Sequence, residues 1–280
     1  TDRPWVEIDA RDFELMDLKD PKHGRDQKVD ISLQGPASLD ILLECIVDEK
    51  LGQALRMLGR NKLLVGPVAG VNAVVSRTGY TGEDQGYEIY VHPDEAINLW
   101  ETILSAGKPY GIMPTGLGAR DSTRTEAGFP LYGHELAGDL ELCPLDAGYP
   151  QFVRMHKPFF IGRTGQLARD KVRNMSVVRF RMLKKGIPVV KPGSPVTNRR
   201  GQVVGHVTSC ATVEDGSQIG LAYVQDRYKE EETRLHVFVP PRGKGHEPKR
   251  IPELQVGDKM HIADEAVVMT RFMEPGERDA

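Results

Sequence analysis

SRTGYTGEDQGYEIYVHPDEAINLWETILSAGKPYGIMPTGLGARDSTRTEAGFPLYGH, spanning Ser76–His134, sets out the secondary structure on which the reading of the chain turns. A glycine-rich turn leads into Tyr87–Val91, which reads as a strand. Strand alternation puts Tyr87, Ile89 and Val91 on one face and Gly86, Glu88 and Tyr90 on the other. From Pro93 the period becomes helical, with Asp94 and Glu95 in the first turn, where the helix dipole favours them. Ala96, Leu99, Trp100, Ile103 and Leu104 form an apolar stripe, and Gly107 serves as terminator. A second helical segment carries Arg120 and Arg124, four residues apart and so on one face.

Upstream, Val29–Gln34 alternates as a strand and stops at Gly35-Pro36. Pro36 suits the first helical position, and Leu39, Leu42, Leu43, Ile46 and Val47 recur at helical spacing as a core face. Lys62–Val68 and Val71–Arg77 read as strands joined by a tight turn at Ala69-Gly70. Residues 1–28 are charged and weakly patterned, with Trp5, Val6 and Ile8 as possible strand contacts and Asp17–Gly24 as a solvated loop. This order of elements, with hairpin-length turns, indicates an antiparallel α+β sheet rather than a doubly wound fold.

Beyond Arg173 no helical period remains. Ser176–Arg181, Gln202–Ser209, Ile219–Val224, Arg234–Pro240 and Lys259–Ile262 are short strand candidates separated by turn residues, so a small β-barrel or sandwich is expected from about 174 to 275. The one basic cluster, Arg242–Arg250, reads as a solvated loop rather than a phosphate grip.

The chain has 280 residues, 39% of them hydrophobic and 28% charged, enough to bury a core. A net charge of −3 supplies no basic field for nucleic acid or an acidic membrane. No apolar run approaches the roughly 18–20 residues of a membrane span. The N-terminus resembles neither a signal nor a transit peptide, and its start at Thr1 rather than Met suggests a processed protein or an excised piece. Three distant cysteines, Cys45, Cys143 and Cys210, argue against a disulfide framework or a zinc site and for a reducing interior compartment. Cys45 lies in an apolar helical pattern, as a buried thiol would. Dinucleotide, Walker, GxSxG and HExxH signatures are absent, and no residue suggests a covalent nucleophile.

Glu88 is the residue whose chemistry stands out. A carboxylate between aromatic rings and a bare glycine can accept two parallel hydrogen bonds from a planar heterocycle with adjacent N–H and NH2 groups, the 2-amino-4-oxo face of a pterin being one such partner. The same pattern also fits an exposed Glu on a solvent-facing strand. Arg120 and Arg124 repel each other unless Asp121, Glu126 or an anionic ligand offsets them, and arginine forks suit the carboxylates of a folate. An incidental surface pair fits equally.

Arg77–Asp84, Tyr87–Ile89, Gly116–Asp121 and Glu126–Gly133 together resemble the aminomethyltransferase (glycine cleavage T-protein) family. Leu33–Pro36 upstream, then Pro144–Gly148, Lys157–Arg163, Gly205–Ser209 and Gly220–Tyr223 downstream, extend the resemblance in order over almost the whole chain. It implies ferredoxin-like α+β domains followed by a small C-terminal β-barrel: residues 1–28 as the remnant of an N-terminal domain, 29–173 as the folate-binding domain with a connecting segment, and 174–280 as the barrel. It further implies transfer of a methylene group from an aminomethyl-loaded lipoyl arm on a partner H-protein to tetrahydrofolate, releasing ammonia, in a bacterial cytoplasm or a mitochondrial matrix. Glu88, Arg120 and Arg124 become the folate-binding candidates, and no metal is implied. The family's catalytic Asp lies in a segment upstream of this sequence, and Asp9, Asp12 and Asp17 sit in unrelated context. The catalytic residue is therefore unassigned, and the chain is expected to behave as a fragment with an incomplete site. The same family hosts folate-dependent demethylases of small N-, O- or S-methyl compounds, and a non-catalytic folate-binding protein is a further alternative. Two departures are Tyr149–Phe152, where the family's aromatic is shifted to Phe152, and Arg271-Phe272, which replaces an aromatic-rich close.

Overall fold

Ile31 and Leu33, Val71, Ala73 and Val75, and Tyr87, Ile89 and Val91 are all buried on one side of a single sheet. The period-2 pattern of the sequence is what lets that face close over a core. In this computed structural model, residues 16–239 and 262–274 are described. They divide into two compact units. One runs to Gly79 and resumes over Glu83–Pro114, and the other takes Tyr80–Gly82 and the described residues from Thr115.

The first unit contains β1 (Val29–Gln34), α1 (Ser38–Glu44), α2 (Glu49–Arg56), β2 (Leu63–Val68), β3 (Val71–Ser76), β4 (Gly86–Val91) and α3 (Pro93–Gly107). The strands lie in the order β1-β4-β3-β2, every pairing antiparallel. Ile41 and Leu42 of α1, Leu55 of α2, and Leu99 and Ile103 of α3 join the buried face of the sheet in one core. Ala69 and Gly70 both take positive φ (51° and 77°), the conformation a two-residue hairpin requires between Val68 and Val71.

Several local expectations are corrected. Pro36 does not open the helix; α1 begins at Ser38, with Ala37 at the cap. Because α1 ends at Glu44, Val47 is fully exposed rather than core. The sequence reading missed α2, which buries only Leu55 and is started by Asp48, whose carboxylate accepts from Lys50 N and Leu51 N. Trp100 is 39% exposed, at the edge of the α3 stripe. Gly107 stays helical, and the chain reverses at Gly111 (φ 75°). Close packing accounts for Gly107, since a Cβ there would lie 2.6 Å from the Ile112 side chain. Cys45 is buried, as expected.

The second unit holds α4 (Leu117–Glu126), α5 (Arg163–Asp170) and β5 (Met175–Met182), β6 (Pro195–Thr197), β7 (Val203–Thr212), β8 (Gln218–Gln225), β9 (Arg234–Val239) and β10 (Ile262–Met269). The strands close into a barrel in the order β10-β5-β8-β7-β6-β9, which settles the choice between barrel and sandwich. Val178, Phe180, Met182, Val204, Ala222, Val224, Leu235, Val237 and Val268 are among the side chains of its core. β6, three residues long, was not read from the sequence, nor was α5, none of whose residues is buried, and the last strand, expected at Lys259–Ile262, runs instead over Ile262–Met269. Thr208 is an extra residue in β7, between the pairs Val207↔Ala222 and Ser209↔Leu221. Such a bulge re-aims the side chains beside it. The readings at Trp5, Val6 and Ile8, at Arg242–Arg250 and at Lys259–His261 lie outside the described residues. Among the described residues no helix is long and apolar enough to cross a membrane.

Candidate functional site

Glu88 occupies the middle of β4, opposite Ser32 of β1 and Ser76 of β3, so these three side chains share the sheet face that the helices of this unit leave uncovered. Its carboxylate is half-buried and oriented. The Thr78 hydroxyl donates to Oε2, and the Tyr90 hydroxyl lies 3.5 Å from the same oxygen. Burial, followed by the charges of Glu88 and Asp30, pushes the Tyr90 phenol above its ordinary value, so it remains a donor at neutral pH. Oε2 is therefore fixed by the chain, while no hydrogen bond to Oε1 is formed among the described residues.

Gln34 holds the turn that carries Thr78. Its Nε2 donates to the carbonyls of Thr78 (3.2 Å) and Tyr87 (3.4 Å) and to Ser32 Oγ (3.1 Å). The amide fits because residues 79 and 86 have no side chain; a Cβ at either would run into it. The glycines of this stretch thus make room for the group that positions Thr78 and, through it, Glu88.

In the second unit, Arg120 and Arg124 lie on α4 but have opposite surroundings. Arg120 is exposed. Arg124 is wholly buried, and all five of its N–H groups are taken by the chain. Nε donates to Asp121 Oδ1 (2.8 Å), as does Nη2; Nη1 donates to Glu135 Oε2 (2.7 Å) and the Phe129 carbonyl (3.3 Å); Nη2 also donates to Ser209 Oγ (2.8 Å). Ser209 in turn donates to Glu135 Oε1 at 2.6 Å. The bulge at Thr208 is what aims Ser209 out of the strand toward α4. The expectation that both arginines face an anionic ligand is corrected here: the guanidinium of Arg124 is used up within the unit, and only Arg120 presents an open fork.

Sequence reasoning gave no role to Glu135, to Ser209 or to a further arginine, Arg271. A buried arginine needs a carboxylate, but neither Glu135 nor Ser209 carries a local pattern that says so. Arg271 donates to the carbonyls of Gly128 and Ala147 (2.6 Å) and lies 4.5 Å from the centre of the Phe272 ring. Burial pulls it down to about 10, leaving it charged at neutral pH. Around it, Tyr149 stacks on Phe272 (5.3 Å, 14°) and meets Phe152 edge-on (5.2 Å, 85°), and Tyr80 packs on Phe129 (5.1 Å). Tyr149 is thus the packed aromatic, while Phe152 is 71% exposed. No group of three or more His, Cys, Asp or Glu side chains arranged to hold a metal occurs among the described residues.

Residues 5–157 match the family model described as the GCVT N-terminal domain, and residues 176–253 match the glycine cleavage T-protein C-terminal barrel domain. An aminomethyltransferase of Caldanaerobacter subterraneus subsp. tengcongensis is 40% identical over 218 residues, which are 76% of this chain and 55% of that protein. One from Moorella thermoacetica is 43% identical over 197 residues, 69% of this chain and 50% of that protein. A crystal structure of glycine cleavage system aminomethyltransferase T from Bartonella henselae superimposes with a TM-score of 0.63 at 24% identity, over 87% of this chain and 59% of that one. The chain spans about half the length of the curated relatives it matches.

Proposed function

This chain belongs to the glycine cleavage T-protein family, the aminomethyltransferases, and we propose that it serves in moving a methylene group from a lipoyl-bound aminomethyl carrier to tetrahydrofolate with release of ammonia. The observation that carries this reading is Glu88. Its carboxylate stands on the sheet face that the helices of its own unit leave uncovered, with Oε2 held by Thr78 and no bond to Oε1 among the described residues, which suits the N–H donors of a pterin ring. Tetrahydrofolate would supply the nitrogen that takes up the methylene. The chain's own part is positioning: Glu88 anchors the heterocycle, Thr78 and Tyr90 fix the direction of its carboxylate, and Arg120 offers a fork to a carboxylate of the ligand. Arg124 acts at one remove, by holding α4. A lipoyl-carrying H-protein is the expected donor, in the cytoplasm of a bacterium or in a mitochondrial matrix.

Tetrahydrofolate binding to this chain, measured by calorimetry beside Glu88→Gln, tests the reading. Loss of a charge-assisted pair should weaken binding by roughly 10- to 100-fold. Unchanged affinity in the variant would overturn it, as would absence of saturable binding both by this chain and by a protein extended to the length of its relatives. Thr78→Val should weaken binding by a smaller factor, about 3- to 10-fold, because Glu88 remains but is no longer steered.

The two arginines separate in a second experiment. Arg120→Ala is expected to weaken folate binding with an unchanged unfolding midpoint, whereas Arg124→Ala lowers the midpoint. Equal behaviour of the two in both measurements would contradict the assignment.

A further inference from the structure

At the end of the β7–β8 ladder away from Ser209, a cleft of about 440 Å³ is lined by Arg199, Arg200, Arg227 and Arg234. All four side chains are exposed, and no carboxylate lies within ion-pair distance of any of them among the described residues. Glu232 also lines the cleft, and four cations against its charge leave an excess of three. Each cationic group is a guanidinium, whose planar fork pairs with oxyanions in a bidentate fashion.

The turn that presents Arg199 and Arg200 is built rather than loose. Asn198 Oδ1 accepts from Arg200 N (2.9 Å) and Gln202 N (3.1 Å). Its Nδ2 donates to Gln202 Oε1 and to the Tyr228 hydroxyl, both at 2.9 Å. Tyr228 is also the ring over which Arg227 lies, 5.0 Å from its centroid, with Arg227 Nε bonded to Gln225 Oε1 at 3.0 Å. One tyrosine therefore fixes both the turn and the third arginine. Arg234 is held in place as the first residue of β9, paired with Val267 of β10.

We propose that this cleft binds a small ligand carrying two or more phosphate groups. A concentrated charge of this size calls for a ligand of similar anionic density, and the volume exceeds what a single phosphate fills. The site is independent of the folate reading, since it shares no residue with Glu88, Arg120 or the residues that hold them.

The test is calorimetric titration of the chain with inorganic pyrophosphate at low salt, with citrate as a polycarboxylate of comparable charge. One-to-one binding is expected, weakened at least about tenfold in the double variant Arg200→Ala/Arg227→Ala and unchanged in Arg56→Ala/Arg60→Ala, which removes the same charge from the other unit. Arg234→Gln, at the third wall, is the independent variant and should weaken binding as well. Absence of saturable pyrophosphate binding, equal weakening by the control pair, or citrate binding as tightly as pyrophosphate would each overturn the proposal.

Discussion

Glu135→Ala is expected to destabilise the barrel unit by about 3–5 kcal/mol, the cost of removing one partner from a buried ion pair. Arg124 and Glu135 are both wholly buried, and Glu135 is the one fully buried carboxylate among the three groups that pair with the Arg124 fork through short bonds. Its loss leaves a guanidinium in a low-dielectric interior with only Asp121, half-exposed and hence screened, as a charge partner. Leu131 N and Ser209 Oγ lose their acceptor at the same time. Urea unfolding followed by circular dichroism reads the effect as a shift of midpoint. The double variant Arg124→Met/Glu135→Leu should recover much of the loss, because replacing both ions removes the uncompensated charge. A single variant costing less than about 1 kcal/mol would show that the pair does not hold α4 to the barrel.

Gly205→Ala is expected to cost about 3 kcal/mol or more, although it adds a single methyl group. Gly205 sits opposite Val224 in the β7–β8 ladder, and a Cβ there would lie 2.8 Å from Val224 Cα and press on the Tyr223 carbonyl oxygen. Both obstacles are backbone in a closed barrel and cannot turn aside. Gly79→Ala makes the useful contrast. Its Cβ would meet the end of the Gln34 side chain, 2.8 Å from Cδ, and that amide can rotate away at the loss of hydrogen bonds worth about 1 kcal/mol. Thermal melts of the two variants should therefore differ widely in the same direction. A Gly205→Ala protein that melts with the parent would mean that the two strands can separate without penalty.

Most strands were legible because their alternation is strong and their turns carry Gly, Asn or Asp, and the core faces of β3 and β4 follow directly from it; β10 was expected only as far as Ile262, because Asp264-Glu265 interrupts its apolar pattern. Short or weakly buried elements were not. β6 has three residues, and α2 offers the core one leucine, so neither leaves a period to detect. Within the site, Glu88 stood out because a carboxylate in an apolar strand is chemically conspicuous. The two arginines of α4 could not be told apart, since four-residue spacing gives them one face and says nothing of what that face meets. Their difference is made by Glu135, eleven residues on, and by Ser209, turned outward by a bulge 85 residues away. The steering of Glu88 by Thr78 was hidden for a similar reason: it depends on Gln34, 44 residues earlier, reaching into the space two glycines leave.

Barrel closure depends on β10, the last of the six strands along the chain, which pairs with β5 on one side and β9 on the other. During synthesis β5 to β9 emerge first, and until residues 262–269 follow, β5 and β9 lack the strand that joins them among the described residues, so their edges would stand open. Such edges are templates for pairing with another chain. A nascent chain stalled before Ile262 would thus be a candidate for chaperone capture, and the last strand would act as the latch that ends this vulnerable interval.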